Sequence, residues 1–273
     1  MAFGGDDAES YYDDGVTASM KGDVKRAARC FEQAIKKDSS FVVAYHQLGK
    51  CYLRMGATKR AVALLHRVVE HMPNKAPFRL DLGHAYLAAG EYERAREQFQ
   101  QLLGVESSRA RGHLGLAQVC FATGRFEEAV RNAQMAIDLG GANFGALFIL
   151  GKAGTIAKDA AVASEALERA DALIEKSLEL NPDQVEGYYL RGEVLFARTQ
   201  YSSALEQYRA AADRARKDAY YSAFGENFRF VDILAKMGLC YQHLGRAERA
   251  QELGAEVLAL DPEHKIGKAL RAV

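Results

Sequence analysis

A period of 34 residues constrains this chain more than any other feature of it. Gly15, Gly49 and Gly83 stand 34 apart, Ala117 takes the next place in the series and Gly151 the one after. Twelve residues behind the first four members come Ala27, Ala61, Ala95 and Ala129. A third series, Gly22, Gly56, Gly90 and Gly124, falls between them, where a helix would end in a glycine cap and turn. A fixed repeat marks a chain made by stacking one supersecondary unit many times, each unit burying its apolar face on its neighbours. Here the unit reads as a helix, a tight turn and a second helix.

The residue mixture agrees with an all-α fold, since there are only 4 prolines and no tryptophan, and the good helix formers Ala, Leu, Glu, Arg and Gln are frequent. Small residues at the paired places let two helices approach, because a side chain beyond Cβ would hold the backbones apart. That role accounts for Gly151, which stands in "GALFILGKAGT" before Lys152 and raises the question of a phosphate loop. Such a loop needs G-x-x-x-x-G-K-[ST] behind a strand. Ala146 and Ala153 occupy the first glycine and the hydroxyl places, and Phe144, Leu147, Phe148 and Leu150 recur with the period of a helix face. A nucleotide loop is excluded.

The stretch "AYHQLGKCYLRMGATKRAVALLHRVVEHMP" carries Tyr45, Leu48, Gly49, Tyr52, Ala61, Leu65 and Pro73 at the spacing of the tetratricopeptide repeat, and it resembles that family at positions repeated along the chain. The resemblance implies a right-handed α-solenoid of about seven units beginning near Ala8, Val42, Ala76, Ala110, Phe144, Val185 and Val231. Gly192 with Ala204, and Gly238 with Ala250, mark the sixth and seventh units. The solenoid would span residues 8–263, behind a short acidic arm at 1–7 and ahead of a capping helix at 264–273. Extra residues interrupt the period near 157–164, so that one or both helices of the fifth unit are longer or its turn is expanded, and near 217–228. The second interruption includes "DAYYSAFGENFRF", with Tyr220, Tyr221, Phe224, Phe228 and Phe230; Gly225 is its only breaker, so it is expected to extend the flanking helices, the alternative being a flap over the groove.

The resemblance further implies a noncatalytic binding module whose first helices line a concave surface with their second, fifth, ninth, twelfth and thirteenth places. Projected here, those places include His46, Lys50 and Arg54 from the second unit and His84 from the third. The fourth gives Arg111, Leu114, Gln118 and Phe121, the fifth Phe148 and Lys152, and the sixth Tyr189, Glu193 and Phe196. Positive groups gather in units two to four and aromatics in units four to six. The expected ligand is a peptide or helical segment of a protein partner with an acidic part and an apolar anchor, the anchor reading an exposed patch of Phe121, Phe148, Tyr189 and Phe196, while core packing on the neighbouring unit is the alternative for any single one of these rings. Tyr12, Val16, Gln47, Pro77 and Asp81 stand where a chaperone-tail clamp of this family has Lys, Asn, Asn, Lys and Arg, so that ligand is not expected.

Other classes lack their chemistry. With 36 basic and 36 acidic residues the chain has no net field to draw it to nucleic acid. No run of apolar residues is long enough to insert in a membrane, and the first residues lack a basic and apolar leader, so a cytoplasmic protein is expected. Cys30, Cys51, Cys120 and Cys240 form no C-x-x-C pair, and no Cys, Asp or Glu joins His46 and His84 at ligand spacing, so neither a metal nor any other cofactor is expected. No nucleophile stands beside a base, and an enzyme is not expected. Residues 1–20 hold Asp6, Asp7, Glu9, Asp13 and Asp14 and no Lys or Arg. This acidic end supports an alternative, a self-assembling scaffold forming homo-oligomers through its repeat ends.

Overall fold

The computed structural model describes residues 7–224 and 226–272, and the chain divides into two compact units, 1–123 and 124–273. Residues 1–6 of the acidic arm, and Val273, lie outside the described residues.

The first unit contains α1 (Ala8–Met20), α2 (Val24–Lys37), α3 (Val42–Arg54), α4 (Thr58–His71), α5 (Ala76–Ala88), α6 (Tyr92–Leu103) and α7 (Arg109–Ala122), with a 3₁₀ turn at Glu106–Ser108. Each helix packs on the next in sequence. The glycine period has a steric origin: a Cβ on Gly15 would stand 2.6 Å from the Phe31 ring, one on Gly49 2.8 Å from Leu65, and one on Gly83 2.5 Å from Phe99. The large side chain of each second helix therefore lies directly on the backbone of the first, and Phe31, Leu65 and Phe99 are almost wholly buried. Ala27, Ala61 and Ala95 fill the reciprocal places with no exposed surface.

The second series of glycines makes the turns. Gly22, Gly56 and Gly90 have φ between 71° and 76°, a left-handed conformation in which a Cβ is costly. They let Asp23, Ala57 and Glu91 donate backbone bonds to Ala18, Tyr52 and Tyr86, which closes the end of each first helix.

The second unit contains α8 (Phe126–Gly140), α9 (Phe144–Ile156), α10 (Ala160–Leu180), α11 (Val185–Ala197), α12 (Tyr201–Arg214), a hairpin of β1 (Tyr220–Ala223) and β2 (Glu226–Arg229), α13 (Phe230–His243), α14 (Ala247–Leu260) and α15 (Lys265–Arg271). Gly151 meets Leu167 and Gly192 meets Tyr208 in the manner of the first unit, with 2.5 Å between a built Cβ and the facing side chain in each case. Ala129, Ala204 and Ala250 are fully buried. The seventh repeat departs from this: Gly254 stands where the first, second, third, fifth and sixth repeats carry Leu or an aromatic and the fourth carries Ala133, and Leu270 of α15 fills the space, lying against both Gly238 and Gly254. Helix α15 thereby supplies the knob that α14 lacks.

Two expectations are corrected. The extra residues of the fifth repeat do not lie at 157–164: α10 starts at Ala160, in step with Val24, Thr58, Tyr92 and Phe126, and its 21 residues carry the surplus at its far end. The period survives at its start because Ala163 packs on Gly154 and Leu167 on Gly151, while Ile174 and Leu178 continue the buried stripe. The aromatic segment after α12 is no helical extension but an antiparallel hairpin that pairs Tyr221 with Phe228 and turns at Phe224, whose φ is 51°. Rings packed across two strands are a favourable use of Tyr and Phe that a search for helix breakers does not register.

Candidate functional site

The first helices of successive repeats touch one another: α3 meets α5 and α5 meets α7 in the first unit, and α9 meets α11 in the second. Their shared surface within each unit is the face on which the projected residues fall.

In the first unit, Lys50, Arg54 and Arg111 are exposed, His84, Leu114 and Phe121 are half-buried, and His46 and Gln118 are buried. His46 Nε2 lies 2.6 Å from Asp81 Oδ2, with the ring tilted on Phe78 at 4.5 Å, so a carboxylate does join this histidine, contrary to expectation. Asp81 holds the sixth place of the following repeat, one step outside the places that were projected. The His84 and Phe99 rings meet in a T-shaped arrangement at 5.2 Å, and burial lowers the His84 pKa in spite of the Asp81 charge. The basic groups Lys50, Arg54 and Arg111 have no carboxylate partner among the described residues.

The second unit arranges the same face differently. Phe148 is 0 % exposed and Tyr189 3 %, so these two aromatics are not the open patch that their sequence places implied. Phe196 remains half-buried, its ring edge-on to Tyr201 and His243. Glu193 is buried at the centre of the face. Lys236 Nζ reaches its Oε1 at 2.6 Å, Lys152 Nζ its Oε2 at 3.6 Å, and Tyr208 Oη donates to Oε1 at 2.6 Å. Burial by itself would raise the Glu193 carboxyl, but the two ammonium groups and the bonds from Lys236 and Tyr208 outweigh it and hold the acid below the usual carboxylate range. Burial and the Glu193 charge push Tyr208 well above the ordinary tyrosine value, and the nearby Cys240 thiol rises to about 12. Lys152 and Lys236 also lie over the rings of Phe148 and Phe196 at 4.8 and 5.9 Å. Lys236 holds the sixth place of the seventh repeat, so the two partners missed in the sequence, Asp81 and Lys236, share one register position.

The hairpin covers this face. Strand β1 contacts α11 and β2 contacts α13. Phe228, 1 % exposed, lies flat on Tyr189 with ring centroids 3.8 Å apart, and Tyr221 stacks behind it at 5.2 Å. At the tip Phe224 meets Phe144 edge-on at 4.9 Å. The base of β2 is tied by Arg229, which pairs with Asp232 at 3.3 Å and with Asp261 at 2.8 Å.

Tetratricopeptide repeat profiles match residues 19–74, 80–144 and 156–219. The chain belongs to the tetratricopeptide repeat family. Its helices follow one another in consecutive pairs, as in the solenoids of that family. Among solved structures it resembles a tetratricopeptide repeat protein from Parabacteroides merdae, at 12 % identity over 98 % of both chains and a TM-score of 0.61. It also resembles MamA from Desulfovibrio magneticus RS-1, at 21 % identity over 63 % of this chain and 97 % of that one, with a TM-score of 0.54. A chain of the APC/C hetero-tetramer Cut9–Hcn1 matches at 15 % identity and a TM-score of 0.57, covering 91 % of this chain and 52 % of the other. No curated protein matches the sequence. The tetratricopeptide fold generally mediates protein–protein interaction and scaffolding, and the family is typically noncatalytic. Among the described residues no helix of the array is long and apolar enough to cross a membrane.

Proposed function

We propose that this protein is a noncatalytic interaction module that captures an acidic peptide or helical segment of a protein partner on the first-helix face of residues 39–123. The observation that carries the reading is the exposure of Lys50, Arg54 and Arg111 on that face with no carboxylate beside them among the described residues, in a stretch that holds 11 Lys and Arg against 6 Asp and Glu. Half-buried Leu114 and Phe121 on the same series of helices suit the apolar anchor of such a segment, because ordered apolar side chains supply most of the affinity while charge steers approach. The relative solved as the Cut9–Hcn1 hetero-tetramer is itself assembled with another protein, which supports the general role.

Selection of displayed random peptides on the full chain tests this. The enriched peptides are expected to be rich in Asp and Glu, to bind more weakly as salt rises, and to lose about tenfold in affinity, roughly 1.4 kcal/mol, on Lys50→Glu/Arg54→Glu. Neutral peptides that bind the charge-reversed variant equally well would remove the proposal. Self-assembly is the competing reading, supported by Glu9, Asp13 and Asp14 on the exposed side of α1. It predicts an oligomer by light scattering that dissociates at high salt, and a monomer at low salt ends it.

A further inference from the structure

In the second unit a segment of the chain itself covers the first-helix face, and the manner of its attachment shows what chemistry that surface accepts. Phe228 is sandwiched between Tyr189 below and Tyr221 above, at 3.8 and 5.2 Å. It arrives on an extended strand whose neighbour in the hairpin turns back at Phe224, a nonglycine residue at φ 51° that remains 48 % exposed. A two-stranded hairpin is at best marginally stable by itself, so this one holds its shape through its docking. The approach from α12 is exposed at Arg216, Lys217 and Asp218 and lacks regular structure. Most of the attachment is therefore made by one buried ring, a few partly covered ones and the ion pairs of Arg229.

We propose that the Tyr189 face of α11 and α13 is a second recognition site, for an extended partner segment that presents an aromatic side chain to Tyr189, and that the β1–β2 hairpin is its built-in competitor. The partner would place its ring where Phe228 now lies, and the hairpin would leave as it enters. This site belongs to the second unit, and its ligand differs in chemistry from the acidic one proposed for the first, being apolar and extended. Strand recognition of this kind takes specificity from the alternate side chains that enter pockets, which here is a single ring slot.

A fluorescent synthetic peptide of residues 219–229 serves as the probe, titrated by anisotropy against the full chain. Wild type, with its slot filled, is expected to bind at least about tenfold more weakly than Phe228→Ala, whose slot is vacated, because a competing closed state lowers apparent affinity by the open fraction. Adding Tyr189→Ala to Phe228→Ala, or replacing the phenylalanine of the probe by alanine, is expected to abolish the gain. No gain in a Phe228→Ala protein with unchanged circular dichroism overturns the proposal, and so does equal binding by the wild type. Should Phe228→Ala fail to fold, hydrogen exchange on the wild type decides: the amides of β1 and β2 are expected to exchange before those of α11 and α13, and exchange only on global unfolding shows a structural strand with no competing role.

Discussion

Gly151 shows how a single position carries the architecture. A leucine there would drive side-chain atoms into Leu167, whose Cγ already stands 2.5 Å from a built Cβ, so Gly151→Leu is expected to lower the unfolding free energy by about 1–3 kcal/mol, measured by urea titration. An unchanged midpoint would defeat the role assigned to the glycine series. The turn glycines have exceptions of the opposite sign. Lys158 and Thr199 take the place of the turn glycine in the fifth and sixth repeats at φ 62° and 59°, where a Cβ costs about 1–2 kcal/mol. Thr199→Gly is therefore expected to stabilise by up to about 1 kcal/mol, less than the full strain because glycine also loosens the unfolded chain. Glu193 sets an acid limit. Its carboxyl falls from 4.5 to about 2 on folding, so its contribution to stability is complete above about pH 4.5 and is lost as pH drops through about 2. The deficit of Glu193→Gln relative to wild type should thus narrow between pH 6 and pH 2, and a deficit that stays constant over that range would disprove the pairing.

Among the elements, α15 has the clearest energetic duty. Leu270 is fully buried against Gly238 and Gly254, so Leu270→Ala should cost about 2–5 kcal/mol, as for a large core side chain, rather than the few tenths expected near a frayed end. Chemical denaturation of the variant decides between these magnitudes. The helices were legible in the sequence because their spacing rests on short-range sterics repeated many times: Gly83 against Phe99 and Gly192 against Tyr208 are the same contact. The hairpin was not legible, because Phe228 is extended through a ring contact with Tyr189 made 39 residues away in the chain, and no local pattern reports such a partner. The Glu193 cluster was half legible. Glu193 and Lys152 stand at projected places, but Lys236 reaches back from the sixth place of the next repeat, and burial reverses what an exposed Glu193 would have offered a ligand.

At the scale of the whole molecule, an array whose repeats rest on their immediate neighbours transmits damage over short distances. Gly192→Leu, pressing on Tyr208, is expected to raise amide exchange in α11 and α12 and leave α1 to α4 protected, and a uniform loss of protection would argue for a single cooperative unit. The long helix α10 bears on the same question of modularity. It exceeds the 14 residues of α2, α4 and α14 by seven, and seven residues turn an α-helix through two revolutions less about 20° while advancing it about 10 Å. The exit of α10 is thus displaced along its axis with its azimuth nearly kept. Length enters this array without a change of phase, and an insertion of five residues, which would swing the exit by about 140°, is of a kind the same seam would not absorb.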